Sequence, residues 1–402
     1  RARPLHVKSL TIREPRMSKT YPALRLLCIA IALLLVPSTS AFAKQASEVG
    51  EKIADAFNNQ NVEAIFSVMD IDSLAGKLAA EQGLRGNSAR EFQEGLGKGV
   101  RKNVGAGLLQ FSQKEGIAKY IRSGTRDGKR FVLVRLQYTA GNGGFEYLEY
   151  YLSPRNKVED WYTHSQGSRA SAAIRRALSS IMKKDSLVTV LFGIEKVDEG
   201  ELKRFKEFSS AMTTGDYPKA YKAMEALPES YRKSREWAMT RASIAGFDER
   251  THRASLEHLA KNFGSDSSVQ FMLIDHYFYQ ERFDLAHKAI TLFENGVGGE
   301  DGATSFLKCS SLVSNKQFEE AVKACRRGTE LEPDFQNAYW GVVTAGLESK
   351  NPKLALAGLS AYEKAFNMEF DPDKLAQLDA YRELGRTPEF AAWAKPRRIV
   401  KK

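Results

Sequence analysis

Hydrophobic positions recur along this chain with two different periods, and the change from one to the other divides it. Val49, Ile53, Ala56 and Phe57 return at helical intervals until Asn58-Asn59-Gln60-Asn61 breaks the run. Residues 62–69 predict a second short helix, and Asp72 is placed to cap a third that carries Leu74, Leu78 and Ala79. A longer helix is expected over 88–111, weakened by Gly95, Gly97, Gly99, Gly105 and Gly107. The period then drops to two. Four runs, 117–123, 130–138, 145–152 and 157–165, are rich in Val, Tyr, Phe and Leu. They are joined by Asp127-Gly128, Gly141-Asn142-Gly143-Gly144 and Pro154-Arg155-Asn156. Short links with Gly or Asn at the tip predict hairpins, because those residues adopt positive φ readily. The expected product is a four-stranded antiparallel meander, half-buried, with Val132, Val134, Leu136 and Tyr138 on its covered face. A helix follows, with Ile174, Ala177, Leu178 and Ile181 on one side and Arg175, Arg176, Lys183 and Lys184 elsewhere.

Beyond residue 202 the helical pattern is itself repeated. Gly215-Asp216-Tyr217-Pro218-Lys219-Ala220 is echoed at Glu281-Arg282-Phe283-Asp284-Leu285-Ala286, Lys316-Gln317-Phe318-Glu319-Glu320-Ala321 and Lys350-Asn351-Pro352-Lys353-Leu354-Ala355. A weaker copy runs over 248–254, and a truncated one over 388–391. The alanines Ala220, Ala254, Ala286, Ala321 and Ala355 fall 34, 32, 35 and 34 residues apart. A period near 34, with a turn, an aromatic and then an alanine, resembles the tetratricopeptide repeat. Leu331-Glu332-Pro333-Asp334-Phe335-Gln336-Asn337-Ala338-Tyr339-Trp340 is the best single match. The resemblance implies an all-α solenoid over 202–395, with the alanines at helix crossings and an inner surface where such domains hold partners.

That register nominates partner-binding residues. Fifteen positions before each alanine stand Phe205, Met239, Phe271, Phe306 and Trp340. Eleven before stand Ser209, Ser243, Asp275, Ser310 and Thr344, and eight before stand Met212, Gly246, Phe278, Val313 and Leu347. The large apolar row is either inter-repeat core or a partly exposed groove that takes an apolar segment of a partner or of this chain's own first domain. None of these positions is Lys, Arg or Asn, so the basic clamp with which some members of the family hold a carboxylate is not visible in them. The same resemblance points Cys309 and Cys325, 16 residues apart, into the interior of one hairpin, a possible disulfide.

Composition and charge refine this picture. The 402 residues carry a formal charge of +11, but residues 1–43 hold seven basic residues and one acid, and without them the net is +5. Residues 196–402 hold 31 basic and 31 acidic residues, which excludes the basic footprint of a nucleic-acid binder. From Met17 a basic start, an apolar run over 26–36 and Ala41-Phe42-Ala43 make the three parts of a secretory signal peptide, so the mature chain is expected outside the cytoplasm. The apolar run is too short to span a bilayer, so no stable membrane span is expected in the mature chain.

The expected organisation is a leader over 1–43, an α+β domain over 44–190, a connector over 191–201, the repeats, and a solvated basic tail over 396–402. Helices followed by a curved antiparallel sheet are similar in topology to the NTF2-like and cystatin-like α+β rolls. Such rolls often enclose polar groups, and Asp160, Tyr162 and His164 alternate onto one side of the fourth run. An Asp–His pair beside a Tyr suits general acid–base chemistry in a cleft, but an alternating polar row on a last strand is ordinarily its solvated face. No nucleophile or metal-ligand spacing accompanies the row, so no catalytic residue, metal or cofactor is expected. The expected function is that of an exported adaptor binding an unidentified protein through its repeats, and not of an enzyme. The alternatives are a ligand-binding or catalytic roll scaffolded by the repeats, and an accessory of envelope assembly or secretion.

Overall fold

The computed structural model describes residues 39–178, apart from 82, 127 and 141–143, and residues 199–399. Nearly all of the leader lies outside the described residues, as do Ile181, Lys183, Lys184 and most of the connector.

Four helices come first: α1 (Thr39–Asn58), α2 (Val62–Val68), α3 (Ile71–Glu81) and α4 (Gly86–Gln113). Asn61 caps α2 through its side chain, which accepts from the Ala64 amide. At α3 the cap is Asp70, whose Oδ1 accepts from the Ser73 amide at 3.0 Å; Asp72, expected in that role, sits in the first turn instead. The 28 residues of α4 stay helical despite their glycines. Packing supplies what propensity does not: Leu108 is buried with Ala56 and Ile65, and Phe111 joins the core beneath the sheet.

The sheet is an antiparallel meander in the order β1-β2-β3-β4-β5: β1 (Gly116–Arg126), β2 (Lys129–Tyr138), β3 (Gly144–Leu152), β4 (Val158–Thr163) and β5 (Ser168–Arg169). The first four match the expected runs. The fifth is a two-residue strand that pairs Arg169 with Tyr162 and leads into α5 (Ala170–Leu178). One face, with Val132, Val134, Leu136, Leu148 and Tyr150, packs on Ala46, Val49, Ile53 and Phe111.

The opposite face corrects the expectation of a half-buried sheet. Phe131, Leu133, Arg135, Tyr147, Glu149 and Tyr151 are buried too, because the repeats cover them. The apolar run Phe131–Val134 of β2 is the pattern of a strand covered on both sides.

The repeats are five helix pairs resembling tetratricopeptide hairpins. They are α6 (Glu199–Thr214) with α7 (Tyr217–Glu225), then, after the one-turn α8 (Glu229–Arg232), α9 (Arg235–Ile244) with α10 (Glu249–Phe263). Next come α11 (Gln270–Tyr279) with α12 (Phe283–Val297), α13 (Gly302–Ser314) with α14 (Phe318–Leu331), and α15 (Gln336–Glu348) with α16 (Pro352–Phe366). The short α17 (Pro372–Gln377) and α18 (Arg382–Gly385) and then α19 (Pro388–Ile399) close the stack.

Four of the five hairpins turn in the same way. Gly215, Glu281, Lys316 and Lys350 each take a positive φ. Their amides bond to the carbonyls of Met212, Phe278, Val313 and Leu347, while the next residue's amide reaches one position further back. This double closure satisfies two of the carbonyls that a helix end leaves open. Five residues past each such turn lies Ala220, Ala286, Ala321 or Ala355, all fully buried. At the last of them a side chain on Gly346 would come within 2.6 Å of the Ala355 Cα, so the two helices touch through their backbones.

The second hairpin departs from this register. Its turn is a 3-10 segment, Ala245–Phe247, without a positive φ, and Ala254 is exposed rather than at a crossing. His252 occupies the fourth position of α10, where the other hairpins have alanine, and its Nδ1 lies 3.2 Å from the Ala242 carbonyl oxygen. The expected solvated tail is corrected at Arg397, while residues 400–402 lie outside the described residues. Helix α19 runs through residue 396, and Arg397 lies 3.9 Å over the Trp393 ring while pairing with Glu363.

Candidate functional site: the joint between sheet and repeats

From Ala46 onward the chain is one compact unit, and the second face of the sheet is where its two parts meet. The contact is aromatic at its centre. Tyr147 of β3 packs edge-on to Phe271 and Phe293, with ring centroids 5.4 and 5.0 Å away. His164, just past β4, lies 5.1 Å from Phe293 and 6.3 Å from Phe271. Phe145 meets Phe335, which in turn meets Phe306. At the near end, Gly167 in the turn before β5 lies against Met239 so closely that any side chain there would collide with it.

Around those rings sits a buried ion cluster. Arg135, the one charge in the middle of β2, donates two hydrogen bonds to Glu332 at 2.7 and 2.8 Å and lies 3.2 Å from Asp301. The Tyr147 hydroxyl donates to Asp301, and the Gly302 amide to Glu332. Lys119 of β1 closes the rim on Glu332 and Asp334. Burial opposes the negative charge of Glu332, but the bonds from Arg135 and the nearby Lys119 outweigh it and hold the carboxyl down to about 2. Burial opposes the Arg135 charge as well, and Asp301 and Glu332 overcome it. Each charge in the cluster is there because its partner comes from the other half of the chain.

The row Asp160, Tyr162, His164 is neither a solvated face nor an acid–base pair. Asp160 and His164 are 8% and 5% exposed. The Asp160 carboxylate is taken by Ser171, accepting from its amide at 3.0 Å and its hydroxyl at 2.7 Å. His164 is bonded instead to Glu149, with Nε2 3.0 Å from Oε1. Burial lowers the imidazole's affinity for a proton against the pull of Glu149, and Nε2 faces the carboxylate oxygen. Burial works against ionised Glu149, yet bonds from His164, Arg126 and Tyr151 keep it below the usual carboxylate range. Beyond this group, between α3, the ends of β1–β4, α5 and the first repeats, opens a cavity of about 620 Å³.

The nominated apolar row splits in three. Phe205 and Met239 are buried in the core of the first repeats. Phe271 and Phe306 are half-buried, Phe271 against Tyr147 and Phe306 against Phe335 beside Phe145. Trp340, past the reach of the sheet, packs on Tyr362 and Phe370. In the polar row Ser243, Asp275 and Thr344 are exposed. Ser310 is half-buried with its hydroxyl donating to the Phe306 carbonyl at 3.0 Å, and the side chain of Ser209 lies outside the described residues. Cys309 of α13 and Cys325 of α14 are joined as a disulfide, Cα atoms 5.2 Å apart, and the pair lies against Gly341 of α15, where a side chain would strike both sulfurs.

Sequence reasoning passed over Arg135, Tyr147, Glu149, Asp301 and Glu332. Only Arg135 carried a signal, as a lone charge within Phe131–Leu136; nothing local marks Glu332 or Asp301.

No protein-family model matches the chain, and no curated protein matches its sequence. Among solved structures it is similar to MamA of MSR-1, with TM-score 0.35 and 15% identity over 42% of this chain and 98% of MamA. MamA of AMB-1 gives TM-score 0.35 and 14% identity over 45% and 100% of the two chains. PilW, a widely conserved type IV pilus biogenesis factor, gives TM-score 0.30 and 14% identity over 50% and 94%. Likeness at this level carries no functional argument, and the repeat architecture rests on the hairpins described above. Among the described residues no helix is long and apolar enough to cross a membrane.

Proposed function

We propose that the chain is an exported adaptor that holds a partner protein on the polar inner row of its repeats, and that it acts by binding rather than by catalysis. One observation carries this reading: Asp275 and Thr344 occupy equivalent places on α11 and α15, eleven residues before the buried Ala286 and Ala355, and both are exposed. The apolar row beside them is taken up by the core, by the sheet and by the last hairpin, so the polar row is what remains for a partner. Export is supported by the leader-like segment and by the Cys309–Cys325 disulfide, which suits an oxidising compartment.

The test is capture and cross-linking from native envelope extract, with the unaltered protein and the double variant Asp275→Arg, Thr344→Arg side by side. Both positions are exposed, so the fold should survive, as circular dichroism would show. A partner captured by the unaltered protein and lost at least tenfold by the variant supports the reading. Equal capture by both, or none by either, sinks it.

A further inference from the structure

We propose that the cavity at the near end of the sheet binds a small anionic molecule with an apolar body, and that Arg169 holds its anionic group. This inference is independent of the adaptor reading and uses a different part of the molecule. A volume of about 620 Å³ falls within the range of small-molecule sites and is too confined for a folded partner. One wall is apolar, made by Phe293 and Val297 of α12 with Tyr151 and Tyr162 of the sheet. The rest of the lining carries six Lys and Arg side chains against four carboxylates.

Most of those cations are already engaged. Lys77 and Lys129 share Glu159, Arg126 pairs with Glu149, Arg175 with Glu81, and Arg235 with Asp266 and Glu236. Arg169 differs. It meets no carboxylate among the described residues, and its guanidinium lies 4.3 Å over the Tyr151 ring. A guanidinium held over an aromatic ring rather than by a carboxylate keeps N–H groups available, and its fork fits a carboxylate, phosphate or sulfonate through two parallel bonds. Pairing of Arg169 with Tyr162 across β4 and β5 fixes the backbone from which the fork projects, so little ordering remains to be done on binding. The only carboxylate of the row on this wall, Asp160, is turned onto Ser171 and accepts from its N–H and O–H. An anion entering beside Arg169 therefore meets donors and rings.

The probe is 1-anilinonaphthalene-8-sulfonate, which joins a sulfonate to an aromatic body. Titrated into the purified protein, it should bind at one saturable site, be displaced by phenyl phosphate or benzoate, and be indifferent to phenol. The stronger of the two competitors names the natural anionic group as phosphate or carboxylate. Arg169→Met should weaken dye binding at least tenfold with the melting temperature unchanged. Unsaturable binding, equal displacement by phenol, or unaltered affinity in a folded Arg169→Met variant would overturn the proposal. If that variant does not fold, the competition on the unaltered protein decides alone.

Discussion

The two faces of the sheet are buried to a similar degree but are built from different material. The face toward α1–α4 is mainly apolar, with Val132, Val134, Leu136, Leu148 and Tyr150 packed among Ala46, Val49, Ile53 and Phe111. The face toward the repeats mixes rings with charges, Tyr147 and Tyr151 alongside Arg135 and Glu149. Apolar area removed from water stabilises without needing any exact partner. A buried charge stabilises nothing unless its counterpart arrives with it. The first face therefore makes a core, and the second makes a joint that closes in one geometry only, with Arg135 between Glu332 and Asp301.

The sharpest way to break this comparison is to remove one member of the joint. Arg135→Ala leaves Glu332 and Asp301 uncompensated and should cost about 3–5 kcal/mol in urea denaturation, near the upper end for a single substitution. Replacing Arg135 by Met and Glu332 by Leu together should cost less, since one of the two uncompensated charges goes with its partner and only Asp301 stays unpaired. A double variant as unstable as Arg135→Ala would show that the joint depends on something other than charge matching.

Acid probes the same joint without mutation. The Glu332 carboxyl is held at about 2 against an ordinary 4.5, so the folded state binds fewer protons there than the unfolded one. Its contribution is fully present above pH 4.5 and is lost as pH falls from 4.5 toward 2, to a total of about 3 kcal/mol for a shift of that size. Glu146, half-buried beside Ser165 and raised to about 7, acts in the opposite sense and takes stability away as pH rises from 4.5 to 7. Chemical melts of Glu332→Gln should show a shallower acid-side slope, whereas Leu136→Ala on the opposite face should lower stability and keep the slope. An unchanged slope in Glu332→Gln would move the effect elsewhere.

A smaller effect separates the regular hairpins from the irregular one. Ala286→Leu should overpack the third crossing and cost about 1–3 kcal/mol, whereas Ala254→Leu on the exposed side of α10 should change stability by less than about 0.5 kcal/mol. Equal losses in thermal melts would mean that the second hairpin keeps the register of the others after all.

Much of this molecule was legible in its sequence for a local reason. The four long strands, their glycine-bearing turns and the hairpin phrase ending in Ala220, Ala286, Ala321 and Ala355 are short-range patterns. Backbone conformation, periodicity and close helix contact are all decided within a few residues. The one alanine that misled, Ala254, belongs to the one hairpin whose turn lacks a residue of positive φ, so the anchor was counted from a turn of another kind. At α3 the cap moved by two residues for a similar reason, since Asp70 and Asp72 are the same residue type and only the start of the helix distinguishes them.

What the sequence determined by itself, then, was the list of elements, the order α-then-β-then-repeats, and the positions where helices touch. Tertiary structure alone decided that the sheet has no free face, that His164 answers to Glu149 rather than Asp160, and that Phe271 and Phe306 belong to the joint with the sheet. The physical reason is range. Periodicity and turns record what a residue does with neighbours a few positions away, whereas Arg135 and Glu332 stand 197 positions apart and acquire their partnership only when the sheet and the repeats have met.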